Sequence, residues 1–438
     1  MLENLNLLDT DRYRLSGAQV PSALLPSDLA SGSESTRVDI DIIEGRIAGL
    51  APAGQSSATF PVIELQGCQV WPCFVDVHTH LDKGHTWQRA PNPDGTFLGA
   101  VKAIARDRAA HWTLADLRSR IEFGLATSYA HGTRAIRTHL DSVGDQAGIS
   151  WPLFGDLRRE WAGRIDLQAA CLVSIEYFRD ADAARYLADL VAEHGGVLGA
   201  VTYVTPDLDV LLDRVVRLAA QRGLNLDFHA DENGDPTSTA LEQICQALRR
   251  GRFAGKVLCG HCCSLALQPE QRAAATMNAV ADLGLAIVSL PLCNLYLQDR
   301  LFLDGMAPRT PRWRGVTLLH ELRSRGIDVA LASDNVRDAF HAYGDHDLLE
   351  VFAAGVKIAH LDRPFGDWPR AVTSTPAAIM GLDAESTITA GSRADLLIFS
   401  CNDIGTLLCR RQSDRIVVRN GKRVSARLPD HPSLEVHQ

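Results

Sequence analysis

From residue 74 onward, short apolar runs alternate with stretches of helical spacing eight times over about 260 residues, and few architectures accommodate that alternation. The runs are 74–80, 134–140, 166–173, 198–204, 225–230, 256–262, 285–291 and 327–333. They are rich in Val, Ile, Leu, Ala and Cys, as expected for strands covered on both faces of a parallel sheet. Between them, Ala183 to Ala192, Leu208 to Gln221, Pro269 to Leu283 and Gly315 to Arg325 show helical spacing. The second of these places Leu211, Leu212, Val215, Val216 and Leu218 on or near one face. The pattern predicts a (β/α)8 TIM barrel. A doubly wound open sheet would carry a Gly-rich phosphate turn after its first strand, and none follows residue 80.

Both flanks of this region read as β structure. Val38 to Ile43 and Arg46 to Leu50 are joined by Glu44-Gly45, a hairpin signature, and Pro61 to Leu65 is a further strand. Residues 30–35 read as a polar loop. After two helical stretches at 345–362 and 367–380, β pattern returns at Ala394 to Phe399 and Arg415 to Arg419, with a turn at Asn420-Gly421. The expectation is one small, sandwich-like β domain built from residues 1–73 and 385–438, flanking a metal-dependent catalytic barrel at 74–384.

Composition narrows the class. The apolar fraction of 46% and charged fraction of 22% suit a soluble globular protein. With 44 basic against 53 acidic residues the net charge is −9, which argues against a nucleic-acid partner. No apolar run approaches a membrane span. Met1 to Gly17 is polar and acidic and lacks the basic and apolar regions of a signal peptide, so a cytoplasmic location is expected. The ten cysteines are scattered. Cys259 and Cys262 match C-x-x-C without a second pair or a thioredoxin-like context, and read as small residues of a core strand.

In a barrel, function sits where strands end on the C-terminal face. The first strand ends in His78-Thr79-His80. Side chains at i and i+2 of a strand point the same way, so these imidazoles aim at one point. Alone, such a pair is more often two satisfied polar groups than a site. Later strand ends add Arg137-Thr138-His139-Leu140-Asp141, His229-Ala230-Asp231-Glu232, Gly260-His261 and Asp334-Asn335. Burying so many ionisable groups unpaired would cost several kcal/mol each, which favours a site. His78, His80, His229 and Asp334 can hold one divalent metal and leave a position for water, whose pKa the metal lowers. Glu232, three residues past His229, suits a proton shuttle. His261 can hydrogen-bond that water or polarise a developing oxyanion, although a core histidine bonded to a backbone carbonyl has the same pattern. His139 reads as a buried polar residue or a support for the ligands. The fourth strand ends in Thr202-Tyr203 and offers no lysine to bridge two metals, which argues for one metal.

These motifs, together with Pro291-Leu292-Cys293-Asn294-Leu295-Tyr296-Leu297-Gln298 and Gly391-Ser392-Arg393-Ala394-Asp395-Leu396, resemble the amidohydrolase superfamily. The resemblance is to its mononuclear deaminase branch, and most closely to the bacterial barrel-type cytosine deaminases. It runs from about residue 36 to 420 in order. It implies zinc or iron on His78, His80, His229 and Asp334, with Glu232 protonating a ring nitrogen. It also implies that His261 and Asp334 handle the water proton, and that the products are a lactam carbonyl and ammonia.

The positions that frame the pyrimidine in that family differ here. Ser174 stands where a glutamine is expected, Tyr203 for a histidine, Asn335 for a second aspartate and Phe340 for a tryptophan. The substrate is therefore expected to be an amino-substituted nitrogen heterocycle other than cytosine. The alternative is cleavage of another bond on such a ring: an N-alkylamino group, a halide or a cyclic amide. A ligand-binding homologue without activity would usually have lost metal ligands, and none is lost here. The expected partner is a small heterocyclic molecule, and a homo-oligomer is compatible with such a barrel.

Overall fold

The structure, a computed structural model, describes residues 8–55, 60–300, 309–382, 387–410 and 414–435. Eight parallel-type strands follow one another in the chain: β1 (Phe74–Thr79), β2 (Thr133–Asp141), β3 (Asp166–Leu172), β4 (Leu198–Thr202), β5 (Leu226–Ala230), β6 (Val257–His261), β7 (Ala286–Ser289) and β8 (Val329–Leu331). They form two sheets, ordered β8-β7-β6-β5-β4 and β1-β2-β3. Every pairing in the five-stranded sheet is parallel. Isolated parallel bridges pair Ala170 with Val197, Ser174 with Val201, and Thr79 with Asp334. The fold is α/β, and its strands are almost wholly buried, with half-buried positions in β3 and β4. Even Asp76 within β1 is buried, where its carboxylate accepts from the Ser333 hydroxyl (2.5 Å) and the Ser333 N–H (3.3 Å).

Helices follow the strands as their apolar stripes require. Leu208–Arg222 buries Leu211, Leu212, Val215, Val216 and Leu218, and it stops at Gly223, which takes the left-handed conformation that ends helices cheaply (φ 64°). Between β1 and β2 lie two helices, Phe97–His111 and Leu114–Ala130. The first is capped by Thr96, whose hydroxyl accepts from the Gly99 N–H. Strand β7 is shorter than the apolar run suggests, because Pro291 opens a helix, Pro291–Leu297, at the position where a missing N–H costs nothing.

The chain packs as two compact units. One comprises Asp76–Leu125, Ile136–His346 and Pro429–Gln438, and the other Met1–Val75, Ala126–Ala135 and Asp347–Leu428. The second contains an eight-stranded sheet with Lys422–Arg423, Ile416–Arg419, Leu396–Phe399, Gln69–Pro72, Arg12–Pro21, Ser35–Ile43 and Arg46–Pro52 in that order, and Val62–Glu64 beside Arg12–Pro21. Glu44 and Gly45, both at positive φ, turn the expected hairpin.

Two features depart from expectation. Strand Arg12–Pro21 lies inside the sheet although its sequence reads as a polar terminus. A register shift between Leu15 and Ala18, with Gly17 at φ 67°, breaks the alternation that would have marked it. Helix Leu348–Ala359 packs with the β sheet's unit and not within a barrel ending at 384. Its Phe352 ring lies 5.6 Å from Trp71, edge to face, so its apolar side is satisfied there. Among the described residues no helix is long and apolar enough to cross a membrane.

Candidate metal centre and active-site cavity

The backbone places the first ligand candidates. After β8 the chain turns back on β1: the Asp334 N–H donates to the His78 carbonyl (2.9 Å), and the Thr79 hydroxyl donates to the Asp334 carbonyl (3.0 Å). Asp334 adopts φ 60°, a left-handed conformation uncommon away from glycine. Asp231 and His261, at the ends of β5 and β6, do the same at 49° and 66°. Such strained residues gather where surrounding structure over-determines a site.

The side chains then converge. Asp334 Oδ1 lies 3.2 Å from His80 Nε2 and 3.6 Å from His78 Nε2. His229 Nε2 is 3.3 Å from His80 Nε2. Ligand atoms of His78, His80, His139 and His229 lie within 4.8 Å of one another, as do those of His78, His261 and Asp334. His78 Nδ1 and Nε2, the Nδ1 atoms of His80 and His229, and both Asp334 carboxylate oxygens are buried without a hydrogen-bond partner. Burial, followed by the charges of neighbouring cationic groups, pushes the pKa values of these three histidines well below the ordinary range. The imidazoles are therefore neutral, with lone pairs to offer. Burial raises the Asp334 carboxyl to about 7, the mark of a carboxylate lacking a countercharge. Orphaned, neutral nitrogens around an unpaired carboxylate fit a divalent cation with nitrogen and oxygen preference.

His139 belongs to this group in space, with its ring 4.0 Å from that of His78. Its Nε2 is hydrogen-bonded to Asp227 Oδ1 (3.0 Å), and Asp227 also accepts from Arg137 (3.1 Å). Asp227 itself carried no sequence signal. His261 receives a hydrogen bond at Nδ1 from the Asn294 amide (3.0 Å), and burial lowers its pKa to about 3. Glu232 Oε1 lies 3.3 Å from the same nitrogen. Burial and then the nearby Asp334 charge push the Glu232 carboxyl well above the usual carboxylate range.

His80, His229, Glu232 and His261 open onto a cavity of about 400 Å³. Ser174, Tyr203, Asn335 and Phe340 line it too. Ser174 and Tyr203 share a hydroxyl–hydroxyl hydrogen bond (2.8 Å), and the tyrosine donates onward to Glu176. The Asn335 amide is engaged elsewhere: its nitrogen donates to Asp338 (2.6 Å) and its oxygen accepts from the Cys293 thiol. Sequence reasoning missed the wall formed by Phe97, Leu98, Val101 and Ile104 of helix Phe97–His111, and Lys83, which follows the first strand end. The spacing of those apolar residues over the helix's first two turns, just after the Thr96 cap, was the available signal. Cys259 and Cys262 are buried thiols raised well above their usual pKa by burial, in line with a core role.

A sequence profile described as the Amidohydrolase family matches residues 180–425. The chain is 47% identical over 425 residues to the pterin deaminase of Rhizobium rhizogenes strain K84, covering 97% of this chain and 96% of that one. It is 23% identical over 406 residues to the N-isopropylammelide isopropyl amidohydrolase of Pseudomonas sp. strain ADP, covering 87% and 94% of the two chains. In fold it resembles the solved 5-methylcytosine deaminase of Klebsiella pneumoniae bound to 5-fluorocytosine, with a TM-score of 0.80 at 23% identity over 95% of this chain and 98% of that one. The chain belongs to the amidohydrolase family.

Proposed function

We propose that this chain is a metal-dependent hydrolytic deaminase of an amino-substituted nitrogen heterocycle, with a fused 2-amino-4-oxo pteridine as the preferred ring. The observation that carries the reading is the buried set of neutral, unpartnered imidazoles beside Asp334, opening on the cavity that Glu232 and His261 also line. The full-length likeness to a pterin deaminase supports the choice of ring. A cavity of about 400 Å³ with an apolar helix wall is large for a single pyrimidine and suits a bicyclic one. The same reading takes the eight parallel strands as a closed barrel around the site, and the β sheet built from both chain ends as a separate, non-catalytic domain.

His78, His80, His229 and Asp334 would hold one zinc or iron ion. Bound there, a divalent cation supplies Lewis acidity that brings the pKa of a water towards neutrality. The chain's own groups do the rest. Glu232, whose carboxyl is pushed well above the ordinary carboxylate range by burial and the nearby Asp334 charge, hands a proton to a ring nitrogen next to the amino-bearing carbon. His261, with Nδ1 occupied by Asn294, presents Nε2 to the reacting side of the ring. Phe340 and the wall of helix Phe97–His111 exclude water from the ring faces. The reaction consumes one water, breaks the exocyclic C–N bond and leaves a ring carbonyl and ammonia.

An ammonia-release assay over pterins, purines, aminopyrimidines and aminotriazines tests the reading, with a pterin expected to give the highest kcat/KM. Cytosine as best substrate would overturn the choice of ring. The likeness to an enzyme named for removing an isopropyl amine favours one second reading, release of an alkylamine. Amine without ammonia across the panel would establish that reading instead. Elemental analysis should find one equivalent of metal per chain. Two equivalents, or full turnover with none, would contradict the single-metal assignment.

A further inference from the structure

Lys83 is a buried cation inside the cavity for which the proposed chemistry has no use. Its side chain is 4% exposed and lines the same space as His80, Glu232 and His261. Two features hold it. Nζ donates to Asp141 Oδ1 (2.7 Å), and it lies over the Phe340 ring, 5.7 Å from the centroid. An ammonium has three N–H donors. Among the described residues, Asp141 is the hydrogen-bond acceptor found for them.

Asp141 is itself shared. Its second oxygen accepts from Arg108 (2.7 Å), so two cations lie on one carboxylate. Asp82 is next to them, with its Oδ2 accepting the Asp141 backbone N–H (2.6 Å). Burial pulls the Lys83 pKa down, but Asp141 and Asp82 outweigh it and keep the pKa above its ordinary value, so the ammonium is charged. Lys83 and Arg108 thus share the carboxylate of Asp141 at one wall of the cavity. A buried, oriented ammonium with N–H donors to spare calls for an electron-rich oxygen on the ligand.

We infer that Lys83 is a specificity-determining residue that donates a charge-assisted hydrogen bond to the ring oxo group of the substrate. Asp141 and Phe340 hold its head group in place. The inference rests on the proposed heterocycle reading and deepens it. A ring with an oxo oxygen conjugated to the reacting carbon gathers negative charge on that oxygen as the carbon becomes tetrahedral, and Lys83 stabilises it. A ring that lacks the oxygen leaves the ammonium without a partner and is rejected.

The test compares 2-amino-4-oxopteridine with 2-aminopteridine, which keeps the amino-bearing carbon and lacks the oxygen. In the metal-loaded enzyme, Lys83→Met should lower the ratio of the two kcat/KM values by about 10- to 100-fold. Lys83→Arg keeps the ion pair with Asp141 but displaces the donor, and should lower the ratio by about 5-fold or more. A purely structural lysine would lower both activities together. A ratio within 2-fold of wild type in both variants therefore overturns the inference whatever happens to the absolute rates. If the wild-type enzyme releases ammonia from neither ring, the deaminase reading fails on its own account. Calorimetric Kd values for the same two rings then carry the same ratio test, and failure of the wild type to bind either ring overturns both.

Discussion

Asp334 occupies a position that no other residue type fills well. Its backbone closes against β1 through bonds to His78 and Thr79, its φ is positive, and its carboxylate faces two imidazoles. Asparagine would tolerate the backbone, but it would leave the cluster without a negative charge. Glu232 lies at the same mouth with a different duty. It touches His261, with Oε1 3.3 Å from Nδ1. If it carries protons, Glu232→Gln should keep fold and metal content but lose about 10²-fold or more in turnover. A variant that turns over near the wild-type rate at saturating substrate would remove Glu232 from the mechanism.

At the scale of elements, the strands place the imidazoles because their neighbours leave just enough room. Gly260 on β6 faces the His78 ring: a Cβ there would lie 2.9 Å from Cε1 and 3.2 Å from Nδ1. The ring would have to move, while β6 itself keeps its pairing with β5 and β7. Gly260→Ala is therefore expected to fold, with a melting temperature near that of wild type, and to bind metal about 10-fold or more weakly in a chelator competition. Metal retention equal to wild type would show that the His78 ring position is not limiting. Gly199 on β4 contrasts with it, since a Cβ there would meet the backbone carbonyls of Cys171 and Asp227 at 2.4 and 2.7 Å. There the obstruction is backbone, which cannot yield, and the strand itself would be lost.

At the scale of the molecule, distant segments are joined by a small number of buried ion pairs. Arg415 donates to both oxygens of Asp347 (2.7 and 2.5 Å) and to the His131 carbonyl (3.2 Å), tying together two segments of the unit that holds the β sheet. Asp347 also caps helix Leu348–Ala359 through the Leu349 N–H. Burial raises the Asp347 pKa, but the Arg415 charge and hydrogen bonds outweigh it and hold it below the ordinary value. A carboxyl depressed in this way adds stability at pH values above its unfolded pKa of about 3.9, and that stability disappears as pH falls through the lower folded value. Arg415→Met takes the guanidinium from the carboxylate and leaves it the Leu349 N–H and the nearby His131. It should cost roughly 3 kcal/mol in urea unfolding at pH 7, and it should move the onset of acid unfolding to higher pH. A loss below about 0.5 kcal/mol would class this pair with surface ion pairs.

The sequence by itself determined what depends on local period. His78 and His80 face one way because a strand repeats every two residues. The apolar runs and helical stretches alternate eight times, and their ends collect His229, His261 and Asp334 in one region. Tertiary structure decided what depends on partners far apart in the chain. The N-terminal strand was hidden because a bulge at Gly17 breaks its alternation, and only its pairing with Ser35–Ile43 and Gln69–Pro72 identifies it. Asp227 becomes the partner of His139, and Asn294 of His261, across 88 and 33 residues. Lys83 and Asp141 meet across 58 residues, and a helix between them supplies the wall of the cavity. Local backbone geometry writes its period into neighbouring residues. The satisfaction of buried charges is settled only when strands from different parts of the chain pack side by side.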